Sequence, residues 1–252
     1  MSIPKEDKVK AYIVVKDLKD KEFLDNHFIV FGTKKGLIKK TSLEAFSRPR
    51  ANGINAISIN EGDSLLEARL TNGNMEILIG VKSGRAIRFP ESKVRAMGRT
   101  AAGVRGIALD GSVDEVVGLI CVNAGDKSNT ILVVSEKGNG KRSELEDYRM
   151  TNRGGKGVKT LQVTDKTGSL ISIKAVKETD DLMITSKNGI MIRMDLNEIR
   201  VMGRATQGVR VIKLNDGDQI ADVAVISESD TPKVQESEPS NTENPAPSNE
   251  EE

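Results

Sequence analysis

Short apolar runs separated by glycine turns fill the chain, and alternation with a period of two outweighs any helical period. One order of parts occurs four times: an apolar run, a turn ending in glycine, and a second run. Residues 28–31 lead through Lys34-Lys35-Gly36 to residues 37–40, and residues 77–79 lead through Lys82-Ser83-Gly84 to residues 85–89. Residues 131–134 and 139–142 flank Glu136-Lys137-Gly138, and residues 182–185 and 190–194 flank Lys187-Asn188-Gly189. Each reads as a β-hairpin, because glycine takes the positive φ that a tight turn needs. A basic loop ending in Gly53, Gly103, Gly157 or Gly208 follows each hairpin. A third strand is predicted over 54–59, 104–109, 158–163 and 209–214, then an acidic turn such as Asn215-Asp216-Gly217-Asp218. A fourth strand follows over 65–70, 116–122, 170–176 and 220–226. Residues 92–97 and 197–202 are the best helical candidates.

The loop glycines stand 50, 54 and 51 residues apart, which fits one four-stranded blade per repeat in a propeller-like ring. Residues 9–15 match a fourth strand and residues 3–8 the turn before it. The chain thus reads as opening inside a repeat whose earlier strands are missing. It closes on a fourth strand, 220–226, placed to pair with the first blade and shut the ring.

Charge changes the picture. The 252 residues carry a net +1, but residues 228–252 hold eight acids and one base, a net of −7, leaving +8 for residues 1–227. That acidic, Ser- and Pro-rich tail has almost no apolar residues and reads as disordered. A basic body with an acidic tail points to a polyanionic partner. The single cysteine, Cys121, excludes an internal disulfide, and the single histidine, His27, excludes a histidine-based metal site or triad. No run reaches membrane length and no signal-peptide core opens the chain, so it reads as soluble and intracellular.

The bases recur in register. Arg50, Arg99, Arg153 and Arg204 lie inside the glycine loops; Arg105, Lys159 and Arg210 lie two residues beyond the last glycine. Arg95, Arg149 and Arg200 precede the loops. On the second hairpin strand stand Lys39 and Lys40, Arg85 and Arg88, Lys141 and Arg142, and Arg193. One set per blade makes a basic belt suited to a curved polyanion held by its backbone, with loop glycines letting phosphates approach main-chain N–H groups. Aromatics are nearly absent from these positions, which favours duplex over single-strand binding. No phosphate-binding ATP loop and no catalytic constellation stands out. Tyr148, beside Arg149, reads as packing rather than nucleophile.

Residues 95–106 (Arg-Ala-Met-Gly-Arg-Thr-Ala-Ala-Gly-Val-Arg-Gly), residues 200–210 and the turn 136–142 resemble blades of the C-terminal domain of the DNA gyrase A subunit, with wording similar to Bacteroidetes sequences. The resemblance spans about residues 3–226 and implies an all-β β-pinwheel, a propeller-like ring of about four four-stranded blades that exchange strands. It places that DNA-wrapping domain over 1–227, with blades roughly at 9–59, 60–109, 110–163 and 164–226 and the disordered tail after them. Thr151-Asn152-Arg153-Gly154-Gly155-Lys156-Gly157 resembles the family's Gln-Arg-Arg-Gly-Gly-Lys/Arg-Gly box, keeping Arg153, Gly154, Gly155, Lys156 and Gly157. In the family the full box belongs to the first blade, which this chain lacks by that reading.

The resemblance implies binding and wrapping of double-stranded DNA, presented for strand passage by an ATP-dependent type IIA topoisomerase that supercoils negatively. It implies an A2B2 complex in which the partners are gyrase B and the rest of gyrase A. It also implies a nucleoid-associated cytoplasmic location without a membrane. The catalytic tyrosine domain is absent, so this chain is expected to hold no cofactor and to be inactive alone; ATP and magnesium belong to the whole complex. Two further readings stand beside it. One is the equivalent domain of topoisomerase IV, with weaker DNA binding. The other is a protein-interaction propeller.

Overall fold

The computed structural model describes residues 7–15 and 17–227. The acidic tail and the turn at 3–6 lie outside them. A short helix α1 (Lys21–Asn26) leads into β1 (Phe28–Thr33), β2 (Leu37–Ser42) and β3 (Leu65–Thr71). There follow β4 (Met75–Val81), β5 (Arg85–Pro90), β6 (Val104–Arg105) and β7 (Val116–Asn123). Next come β8 (Thr130–Ser135), β9 (Asn139–Glu144), β10 (Val158–Lys159) and β11 (Leu170–Val176). The last four are β12 (Asp181–Ser186), β13 (Met191–Asp195), β14 (Val209–Arg210) and β15 (Ile220–Ile226). One 3-10 turn follows each hairpin, at Leu43–Phe46, Glu91–Lys93, Leu145–Asp147 and Leu196–Glu198.

All strand pairs are antiparallel, and they form four sheets in the orders β3-β1-β2-β6, β10-β5-β4-β7, β11-β8-β9-β14 and β13-β12-β15. The all-β, blade-repeat architecture therefore stands, with three sheets of four strands and a fourth of three. The sheets span 28–71, 75–123, 130–176 and 181–226, each of the first three completed by two residues from the next repeat, rather than the bounds 9–59, 60–109, 110–163 and 164–226. That exchange explains why the predicted third strands shrink to two residues. Val104 and Arg105 pair with Ile38 and Leu37 of the preceding sheet, and Gly106 turns the chain away by donating its N–H to the Gly36 carbonyl at 2.8 Å.

Residues 54–59 form no strand, and among the described residues no sheet edge pairs with them. Residues 9–15 pair with nothing as a ladder either, yet their side chains alternate. Ile13 and Val15 turn toward the first blade's core while Tyr12 and Val14 face outward. β15 pairs with β12 alone and does not close the ring onto the first sheet.

The core lies between blades as much as within them. One cluster joins Val30 and Ile38 of the first sheet to Ile77, Ile87 and Phe89 of the second, and a second joins Leu78 to Ile131, Val133 and Ile173. Tyr148 is wholly buried there with its hydroxyl on Thr160, a packing role. β3, β7, β11 and β15 are the hub strands, and with residues 9–12 they line a central cavity of about 790 Å³. The opposite ends of the first three sheets, β6, β10 and β14, are their outermost strands.

Candidate nucleic-acid interface

The in-register bases divide into three kinds once the blades are stacked. Residues on the face of β2, β5 and β9 that the next blade covers are internal. Lys40 pairs with Glu91 at 3.5 Å and lies 4.8 Å from the Phe28 ring centroid. Arg88 donates to Glu76 at 2.8 Å and to the carbonyls of Leu145 and Tyr148 at 2.7 and 3.1 Å. Arg142 donates to the Ile199 carbonyl at 2.8 Å. These three cations thus fasten each blade to the 3-10 turn of the next. Arg193, in the same position of the fourth sheet, meets no 3-10 turn of another blade among the described residues; it is exposed and pairs with Asp181 at 2.7 Å, as Arg88 pairs with Glu76.

Lys39 and Lys141 are fully buried. Lys39 donates to the carbonyls of Ala56 and Arg99, and Lys141 to that of Gly203 at 2.7 Å. These lysines hold the next glycine loop and leave nothing for a phosphate. Desolvation, helped by Arg99, pulls the Lys39 ammonium down to about 8, and desolvation pulls Lys141 to about 8 as well. Because the unfolded chain keeps these protons up to about 10.5, it binds more protons than the folded chain above pH 8, and stability rises there with pH. Burial holds the Cys121 thiol at about 12 and, with the same cause, Tyr148 at about 12; the unfolded state loses those protons first, near 9 and 10. Denaturant midpoints should therefore climb between pH 8 and 9 and fall above about 10. A Lys39→Met, Lys141→Met protein should lose the climb and keep the fall; a flat wild-type profile contradicts the assignment.

The loop arginines form the second kind. Arg153 donates to the Lys93 and Arg105 carbonyls, both at 3.0 Å. Arg204 makes the equivalent pair one blade on, to Asp147 at 3.0 Å and Lys159 at 2.7 Å. Arg85 reaches the carbonyls of Lys156 and Gly157, both at 3.0 Å, and Arg99 is half-buried. Arg153, Arg204 and Arg85 are brackets between blades. The loop glycines serve the same junction rather than an incoming phosphate. A Cβ on Gly103 would stand 2.6 Å from the Ile38 carbonyl oxygen, one on Gly208 2.6 Å from that of Gly140, and one on Gly157 closer still to that of Ala86. All three take positive φ. Gly154, also at positive φ, donates its N–H to the Gly106 carbonyl at 2.6 Å, while Gly155 is exposed.

The third kind is exposed and, among the described residues, joins no ion pair: Arg50, Arg95, Arg105, Arg149, Lys156, Lys159, Arg200 and Arg210. Arg105, Lys159 and Arg210 are the informative set. Each is the last residue of an outermost two-residue strand, one per blade junction. The backbone carbonyls of the first two are held by Arg153 and Arg204, so the brackets fix where these rim cations stand. Sequence spacing singled out both groups but could not separate rim from bracket.

No helix among the described residues is long and apolar enough to cross a membrane. The sequence model described as DNA gyrase C-terminal domain, beta-propeller, matches residues 27–72, 76–123, 129–177 and 180–227, the span of the four sheets. The DNA gyrase A subunit of Staphylococcus epidermidis is 43% identical over 230 residues, and that of Staphylococcus aureus 44% over 232. These alignments cover 91% and 92% of this chain but only 25% and 26% of the relatives, so the chain spans about a quarter of their length. Among solved structures, a DNA gyrase A C-terminal domain superposes with a TM-score of 0.76 at 24% identity, covering 90% of this chain and 73% of that one. A topoisomerase IV C-terminal domain gives 0.76 at 23%, covering 82% and 64%.

Proposed function

Since the chain belongs to the DNA gyrase C-terminal domain family, we propose that it binds duplex DNA along its rim and bends it around the blades. The observation that carries this reading is the placing of Arg105, Lys159 and Arg210, exposed, one per junction, on the outermost strands. Cations repeated along an arc meet successive phosphates of a duplex only if the duplex follows the arc. Contacts of this kind go to the backbone and fix position without reading sequence. Within a whole gyrase, this module would present a curved segment for strand passage, working in the cytoplasm with gyrase B and the rest of gyrase A. ATP and magnesium would act on those other parts, and this chain would need no cofactor. The gyrase reading is favoured over topoisomerase IV by the 43–44% identity to gyrase A sequences across nine-tenths of the chain.

Eight exposed in-register bases outside any ion pair among the described residues set the scale of the test. If about 6–8 phosphates are neutralised, the logarithm of the binding constant falls against the logarithm of salt with a slope near −5 to −7. Titrations of a fluorescent duplex between low and moderate salt measure it, with two unrelated sequences giving the same value. A slope near zero overturns the reading.

A further inference from the structure

The bracket arginines leave part of their bonding capacity unused. Arg153 gives Nε to the Lys93 carbonyl and Nη1 to the Arg105 carbonyl, and Arg204 gives the same two nitrogens to Asp147 and Lys159 one junction on. Nη2 of each donates to nothing among the described residues, so one end of either guanidinium stays open. Both side chains are half-buried, and neither joins an ion pair among the described residues. Asp147 lends Arg204 only its main-chain oxygen. Other arginines of the chain are neutralised: Arg69, Arg88, Arg142 and Arg193 pair with Glu67, Glu76, Glu178 and Asp181. Taking a charge partly out of water without a partner is unfavourable, and a bound anion relieves it.

Each of these guanidiniums also lies between two exposed cations. The carbonyl that holds Nη1 belongs to Arg105 or Lys159 itself, and the carbonyl that holds Nε stands two residues before Arg95 or Arg149. Strand register puts the flanking cations on one sheet edge. Arg105 lies opposite Leu37, and Ala96, next to Arg95, bridges to Lys40 on the same strand. Lys159 lies opposite Arg85, and Met150, next to Arg149, bridges to Arg88. Three residues of strand rise make that span about 10 Å. Arg95, Arg153 and Arg105 thus form one set of three cations across the rim, and Arg149, Arg204 and Lys159 a second. A guanidinium donates in a planar fork that suits phosphate oxygens, and here the blades hold that fork in place before any ligand arrives.

We propose that each set is a phosphate cradle that takes one phosphate group, from a duplex or from a free polyphosphate such as pyrophosphate. The cradle needs two successive repeats, because Arg153 and Arg204 come from the repeat after the cations they join. A bound phosphate therefore ties neighbouring repeats together and stabilises the fold. The link to a duplex rests on the rim reading above; affinity for free pyrophosphate does not.

Calorimetric titration of the full chain with pyrophosphate tests the proposal, with sodium chloride holding ionic strength constant. Wild type should bind two equivalents saturably, one per cradle. At ten times the dissociation constant, its melting midpoint should rise by about 3–6 °C per site. Arg153→Lys with Arg204→Lys keeps the charge but replaces the fork by a point donor, and affinity should fall by about tenfold or more. Arg105→Gln with Lys159→Gln leaves both brackets on their main-chain carbonyls. It should melt like wild type without ligand and still lose about tenfold in affinity, and it decides the matter if the lysine pair does not fold. A wild type with no saturable binding, or a glutamine pair that binds pyrophosphate as wild type does, overturns the proposal. An added duplex identifies the source of the phosphate. Pyrophosphate that displaces it at constant ionic strength puts duplex phosphates in the cradles, and pyrophosphate that binds beside it assigns them to free polyphosphate. A chain that binds pyrophosphate but no duplex keeps the cradles and overturns the rim reading instead.

Discussion

Gly157→Ala destabilises the protein by about 3 kcal/mol or more, while Gly98→Ala and Gly203→Ala stay within about 0.5 kcal/mol of wild type. All three glycines sit in the basic loops, and only their surroundings differ. Gly157 has φ +69°, and a Cβ there would press into the Ala86 carbonyl oxygen, which belongs to the backbone of the neighbouring blade and cannot swing aside. The left-handed conformation alone costs an L-residue roughly 1–2 kcal/mol, and the clash adds to it. A Cβ on Gly98 or Gly203 would meet nothing within 4 Å, and neither glycine takes positive φ. At roughly 2–4 °C per kcal/mol for a protein of this size, the Gly157 variant should melt about 6–12 °C lower. If the loop glycines existed to admit phosphates, Gly98→Ala would instead weaken DNA binding with no change in melting. Equal melting of all three variants would remove the junction role.

The hairpins were legible because their signal is local. The turns at Gly36, Gly84 and Gly138 sit between paired strands, and the hub strands β3, β7, β11 and β15 match the predicted fourth strands within a residue. The short third strands were overextended because their length is set by another repeat: only Val104 and Arg105 reach an edge of the preceding sheet before the Gly36 carbonyl captures Gly106 and Ile107. Helix α1 was missed because its six residues are too few to show a period, although Asp20 caps it by accepting from Phe23 N–H at 3.1 Å. The candidate 92–97 yields only the 3-10 turn Glu91–Lys93, and 197–202 only Leu196–Glu198. The basic positions show the sharpest limit. Alternation along β2 or β9 says that Lys40 shares a face with Ile38 and Arg142 with Gly140, but not that the next blade's 3-10 turn covers it. Recurrence in register arises equally from a repeated ligand contact and a repeated blade junction. Exposure decides between them, and it assigns Arg88, Arg153 and Arg204 to junctions and Arg105, Lys159 and Arg210 to the rim.

Changing Arg105, Lys159 and Arg210 together to Ala should leave DNA bound but straight. Three charge-assisted phosphate contacts at roughly 1.5–3 kcal/mol each sum to about 4.5–9 kcal/mol. Bending 20–30 bp by 40–90° costs on the order of 1–6 kcal/mol, so the rim set is large enough to drive the curve and little else is left to do so without it. Arg50, Arg95, Arg149, Lys156 and Arg200 remain exposed in the variant and keep it attached. The salt slope should lose about 0.9 for each cation removed, nearly three in all. Energy transfer between dyes on the ends of a ~40 bp duplex, longer than the bent stretch, reads the curvature directly. Arg193→Ala is the matched control, since Arg193 already pairs with Asp181 and should change neither slope nor bend. Arg204→Ala separates position from charge. Its two donated bonds hold Asp147 and Lys159, so its loss should reduce bending and thermal stability together while the slope changes by less than one. A triple variant that still bends the duplex as wild type does would place the curvature elsewhere on the surface and sink the rim assignment.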